Sequence, residues 1–180
     1  MALDPNHPQY GEMVRRMGEE GGFTYNPRKD IYETEGWAVS PHKGMESVAP
    51  ASQTTPSRMA GYHAEHEDVL SQKPNMMGGW RSGEGTGAQD YLDVSKVYPP
   101  TGGGHSAARY QAVKHQQEAT FNLGTFEEEE NPFRPGSEKF PEFAALASSG
   151  QSMSQVMKKS PEMEAWVQSP SRRERFAQGH

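Results

Sequence analysis

The chain of 180 residues contains no cysteine, which excludes disulfide scaffolds and thiolate-ligated metal sites. Isoleucine occurs once, at Ile31, and leucine five times; Leu, Ile, Val and Phe together number 22. That is far below the roughly 20% under which a chain struggles to build a core along its whole length. Self-repulsion is not the cause, because the formal net charge is only -6. Ordering each residue costs about 1–2 kcal/mol of backbone entropy, and burial returns only ~25 cal/mol per Å² of apolar surface. The composition therefore predicts a small folded unit with extended or partly disordered arms. No apolar run approaches the ~18 residues of a membrane span. The opening MALDPNHPQY lacks the cationic and apolar regions of a signal peptide. A soluble protein that stays in the compartment where it is made is expected. A sequence pI of 5.6 argues against a general nucleic-acid binder. The one locally basic run is the tail, where Arg172, Arg173 and Arg175 offer a candidate contact for phosphate or an acidic partner.

What is present is organised around Trp80 to Leu123. A Gly-rich lead-in precedes a strand-like run, Tyr91 to Tyr98; Pro99, Pro100 and three glycines stop it, and a helix-like run follows from His105 to Leu123. Five segments result: an N-terminal arm with a short helix (1–22), a first strand region (23–48), a linker rich in Ser, Thr, Pro and Gly (49–79), the central strand–helix unit (80–136), and a C-terminal stretch (137–180). In the arm, Pro8 suits a first helical turn, and Tyr10, Met13, Val14 and Met17 recur at helical spacing. In the second segment, Trp37 and Val39 share one face of a strand over 36–40.

The C-terminal stretch carries a ten-residue repeat. Phe143, Leu146 and Ala147, then Met153, Val156 and Met157, then Met163, Trp166 and Val167 each form an i, i+3, i+4 helical face. Ser149-Gly150, Ser160-Pro161 and Ser169-Pro170 punctuate them, predicting three two-turn helices. Phe143, Leu146, Met153, Val156, Met157, Met163, Trp166 and Val167 are accordingly either a helical cap on the central unit or anchors for a partner protein.

Chemistry-bearing clusters are sparse. His63 and His66 stand at i, i+3, whereas a catalytic zinc helix places its histidines at i, i+4 around a Glu; a polar turn is the ordinary reading. Gly83 to Gly87 lacks the Lys of a phosphate loop, and a strand follows it. Gly102 to Ser106 lies between a strand and a helix, where amides can hold an anion, but it lacks the Gly-x-Gly-x-x-Gly order, and a strand-to-helix turn capped by Ser106 is the ordinary reading. Glu127 to Glu130 read as a solvated acidic edge, and Asp93 has no acid or base fixed beside it by sequence. No nucleophile motif occurs, so neither an enzyme nor a cofactor is expected.

GWAVS (36–40), GGWRSGEG (78–85), YLDVSKVYP (91–99) and ARYQAVKHQQEATFNL (108–123) together resemble short uncharacterised proteins of bacteriophages and prophages, especially actinobacterial ones. The resemblance implies a host cytoplasm or virion setting and carries no activity. The expected fold is small α+β: a two- or three-stranded sheet using Gly36–Ser40 and Tyr91–Tyr98, covered by one helix, with extended arms and short C-terminal helices. The expected function is a non-enzymatic accessory or virion protein that binds other protein subunits. The alternatives are a small nucleotide- or metal-dependent factor acting on host processes, and a DNA contact through the arginine tail.

Overall fold

A computed structural model describes residue 4 and residues 6–170. In chain order the elements begin with α1 (Pro8–Glu19), β1 (Gly22–Asn26), β2 (Ile31–Tyr32), β3 (Trp37–Val39), β4 (Ser47–Pro50), α2 (Pro56–Glu65) and α3 (Glu67–Leu70). They continue with β5 (Asn75–Ser82), β6 (Gln89–Tyr98), α4 (Gly104–Lys114), β7 (Ala119–Asn122) and β8 (Glu127–Glu130). Three short helices follow: α5 (Phe140–Ala147), α6 (Met153–Lys159) and α7 (Pro161–Gln168). Eight strands and seven α-helices among the described residues correct the expected two- or three-stranded sheet under one helix. The chain divides into two compact units, Met1–Thr34 with His42–Val97 and Glu35–Pro41 with Tyr98–His180.

In the first unit the strands run in the order β2-β1-β5-β6-β4, every neighbouring pair antiparallel. Phe23, Tyr25, Met77, Leu92 and Val94 pack with Tyr10, Met13 and Met17 of α1 and with Met59 and Tyr62 of α2. The His7 ring accepts from the Gln9 amide to cap α1, and Pro8 opens its first turn. The core is thus made largely of methionine and tyrosine. Met fills irregular gaps, and Tyr adds large apolar area provided that its hydroxyl finds a partner. Those partners are present: Tyr25 donates to Asp30, Tyr62 to the Met45 carbonyl and Tyr32 to the Gln9 carbonyl. A count of Leu, Ile, Val and Phe alone understates this core.

The stretch 49–79, expected as a linker, holds the end of β4, a short 3-10 turn at Ala51–Gln53, α2, α3 and most of β5. The Thr55 hydroxyl accepts from the Arg58 amide at 3.2 Å, with Pro56 at the first helical position. Two arginines fasten this stretch to its surroundings. Arg28 reaches the carbonyls of Leu70, Gln72 and Asn75 beyond α3, where a helix C-terminus favours a cation. Arg58 reaches the carbonyls of Ser47 and Asp90. Glycine earns its place in the middle of β5 by close approach: a Cβ on Gly79 would lie 2.5 Å from the Phe23 ring.

In the second unit β3, β7 and β8 form an antiparallel sheet in that order. Gly103 precedes α4 in the left-handed region at φ 83°. A Cβ on Gly104 would run into the Pro99 carbonyl. Gly103, not Ser106, occupies the cap position. The helix expected over His105–Leu123 ends at Lys114, because Gln116 turns left-handed at φ 54° and Ala119 to Asn122 extend into β7. The Asn131 side chain holds that break by donating to the Gln117 carbonyl at 2.9 Å. Helices α5, α6 and α7 fall on the three repeats, with a Ser152–Gln155 capping box opening α6 and Ser160-Pro161 opening α7. Their apolar faces meet Val113 and Phe133 in a second core. No helix of the described residues is long and apolar enough to cross a membrane.

Candidate functional site

Strand register assembles one surface that no short-range pattern announces. Trp80 of β5 stands opposite Tyr91 of β6, and Tyr91 stands opposite Val48 of β4. Residues paired across antiparallel strands share a face, so the three form one row. The Trp80 and Tyr91 rings are stacked, with centroids 4.1 Å apart and planes 11° off parallel. Trp80 is 43% exposed and Val48 46% exposed. The same sheet's opposite face, with Phe23, Tyr25, Met77, Leu92 and Val94, is the buried one. Tyr91 between Trp80 and Val48 is half-buried, and a row of paired apolar side chains with exposed ends differs from scattered single ones, which need no explanation.

Beside this row, Asp90 lies fully buried and accepts both Nε and Nη2 of Arg81, at 2.7 and 2.8 Å, as well as the Thr54 hydroxyl. Burial pushes the Asp90 carboxyl up, but the hydrogen bonds from Arg81 and Thr54 outweigh it and hold it below the ordinary carboxylate range. The charge is spent inside the fold. It fixes β5 against β6 at the Trp80–Tyr91 step.

The second unit contains the densest polar cluster. His105 stacks on Trp37 at 3.8 Å, and its Nε2 meets the Glu129 carboxylate at 2.7 Å. Arg109 grips both Glu129 oxygens through Nε and Nη2. Its Nη1 donates to the Trp166 and Ser169 carbonyls that end α7. Burial pushes the Glu129 carboxyl up; hydrogen bonds from Arg109 and then His105 override it and bring it down to about 2. A His–carboxylate pair can move protons only if one nitrogen reaches a substrate. Here Nε2 is committed to Glu129, and Nδ1 is enclosed without a partner. The cluster is a structural clasp joining α4, β8 and α7. Glu129 thereby departs from the solvated edge expected for the four glutamates.

A cleft of about 350 Å³ lies among α4, α6 and α7, lined by Ser106, Tyr110, Met157, Lys158, Glu164 and Val167 among others. The anchors expected in the C-terminal repeat are mostly interior. Phe143, Val156, Met157, Met163 and Val167 are buried in the second core, and Leu146, Met153 and Trp166 pack against it partly exposed. Only Met157 and Val167 of that set also line the cleft. Arg172, Arg173 and Arg175 lie outside the described residues.

The remaining sequence candidates are accounted for locally. His63 is buried with Nδ1 3.0 Å from the Tyr10 hydroxyl, and burial lowers its pKa. His66 instead packs edge-on against Tyr62. Among the described residues no three His, Asp or Glu side chains are grouped to hold a metal. Gly83 to Gly87 form the tip joining β5 to β6, and Asp93 accepts from the Ser95 hydroxyl at 2.5 Å. Trp80, Tyr91 and Val48 escaped the sequence reading because β4, β5 and β6 had first to be put in register. No alternation marks the strand around Trp80, because Gly78 and Gly79 interrupt any apolar pattern there. No protein-family model, curated protein or solved structure matches the chain.

Proposed function

We propose that this protein acts by binding other protein subunits, without chemistry of its own, as an accessory or structural component of the bacteriophage kind. The observation that carries the reading is the row in which Trp80 and Val48 stand exposed on either side of the half-buried Tyr91. This chain has few large apolar side chains, yet leaves Trp80 43% and Val48 46% exposed beside the Tyr91 ring. Trp and Tyr are the residues most enriched at the energetic centres of protein interfaces. The resemblance of the 36–40, 78–85, 91–99 and 108–123 segments to small phage proteins supports the setting.

The test pairs Trp80→Ser with Tyr91→Thr in the full chain. Partner capture from phage-producing cells, followed by mass spectrometry, reads whether one protein subunit retained by the unaltered chain is lost by the variant. A retained melting transition with lost capture supports the proposal. Identical capture by both proteins overturns it.

A further inference from the structure

Strand β8 is the outermost strand of its sheet, with β7 on one side and, among the described residues, no strand on the other. The Asn131 amide donates to the Glu118 carbonyl at the end of this pair. Antiparallel alternation then turns the backbone of Glu127 and Glu129 toward β7 and that of Glu128 and Glu130 outward. An outward row of amides and carbonyls is a template for one more strand. The side chains decide which strand fits. Glu127, Glu128 and Glu130 are exposed, and the Glu130 carboxylate meets Arg134 across the surface at 3.1 Å. A second β8 would set glutamates against glutamates, and like charges directly opposed destabilise a strand pair. This edge rejects its own copy and favours a basic segment.

The chain delivers one beside it. Helix α7 ends at Gln168, and Ser169 accepts from Arg109 Nη1 through its carbonyl and hydroxyl oxygens. The same guanidinium holds Glu129 of β8. One side chain thus pins the exit of α7 to the acidic strand. From that pin the sequence runs on as Pro170-Ser171-Arg172-Arg173-Glu174-Arg175-Phe176. Extended chain carries Arg172 to Arg175 at most about 20 Å from Ser169, and four residues of a strand such as β8 span about 13 Å. Apolar character matches as well. Phe126, 69% exposed, stands just before the acidic strand, and Phe176 closes the basic run.

We propose that the outer edge of β8 binds this chain's own segment 171–176 as a further strand, its arginines against Glu127, Glu128 and Glu130. The contact closes the open edge of the sheet and occupies the arginines that phosphate or an acidic partner would otherwise meet. It goes beyond the protein-binding reading above and shares no residue with it.

The experiment follows hydrogen exchange at the Glu128 and Glu130 amides by NMR of the isotopically labelled full chain. The unaltered protein is compared with the variant Arg172→Glu, Arg173→Glu, Arg175→Glu. Both amides are expected to exchange about tenfold more slowly in the unaltered chain, as two or three exposed ion pairs on a tethered segment allow. The protection should be independent of protein concentration, and adding Glu127→Lys with Glu128→Lys to the variant should restore it. The Asn131 amide, bonded within the sheet, should exchange alike in all three proteins, which ties the difference to the edge. Equal exchange in the unaltered and charge-reversed chains, a matching change at Asn131, or no restoration overturns the proposal. Protection lost on dilution overturns it too, by assigning the edge to the segment of a second copy.

Discussion

Arg109 and Glu129 meet guanidinium to carboxylate in two parallel hydrogen bonds, one residue on a helix and the other on a strand. The arginine is almost wholly buried, so removing one partner strands a charge. Arg109→Leu is expected to cost about 2–3 kcal/mol of unfolding free energy, less than for a fully buried pair because the remaining Glu129 is 29% exposed and keeps His105, measured by denaturant titration. The double variant with Glu129→Leu should recover part of the loss. Arg109→Lys should not rescue, because one ammonium cannot bridge two oxygens and the α7 carbonyls together.

Acid provides a second view of this clasp. The folded Glu129 carboxyl titrates at about 2, below its ordinary value of 4.5. Its contribution is therefore complete above pH ~4.5 and lost as pH falls toward 2. Glu129→Gln should flatten the stability profile across that window, read from melting temperature against pH.

His63 acts in a milder range. Burial lowers its folded pKa below 6.5, so the unfolded chain binds the additional proton. Stability should fall as pH drops below ~6.5. His63→Asn should reduce that slope while lowering stability at neutral pH, because the buried hydrogen bond between the ring and the Tyr10 hydroxyl is lost. A slope unchanged in the variant would assign the acid response to another group.

Two glycines of β5 should resist substitution. A Cβ on Gly79 meets the Phe23 ring at 2.5 Å and Met17 Sδ at 3.1 Å. Gly79→Ala is expected to destabilise by about 1–3 kcal/mol, the range for forced overpacking. Gly78→Ala should behave similarly, since its Cβ would strike the Asp93 carboxylate. Equilibrium unfolding monitored by circular dichroism distinguishes both from neutral surface changes.

The repeat helices and the sheet row predict unequal results. Met163→Ala should cost about 2–5 kcal/mol, as a fully buried side chain does. Trp80→Ser should cost about 0.5–1.5 kcal/mol, the loss of one cross-strand aromatic pair at a site 43% exposed. The contrast separates apolar residues committed to the fold from those left outside it.

Local signals were readable where they were self-contained. The spacing of Tyr10, Met13 and Met17 marks α1, and Ser160-Pro161 marks the start of α7. The equivalent Thr55-Pro56 signal went unread because its helix buries Met59, Tyr62 and His63 rather than aliphatic residues. Strand β5 was hidden by Gly78 and Gly79, whose role depends on a ring arriving from β1. The clasp at Glu129 was illegible for a related reason. Four consecutive glutamates look alike until β7 and α4 select one of them.

The methionine-built core also has a chemical side. With no cysteine in the chain, methionine is the only oxidisable sulfur, and Met13, Met17, Met59 and Met77 are sealed within the first core. Folding therefore shields them, and unfolding exposes them together. A sulfoxide formed during such an opening places a polar group where the core requires an apolar one. An oxidant would then turn a reversible opening into a lasting loss of the fold. Survival under oxidative stress becomes a question of opening rate, and reductive repair of the sulfoxides, more than refolding, limits recovery.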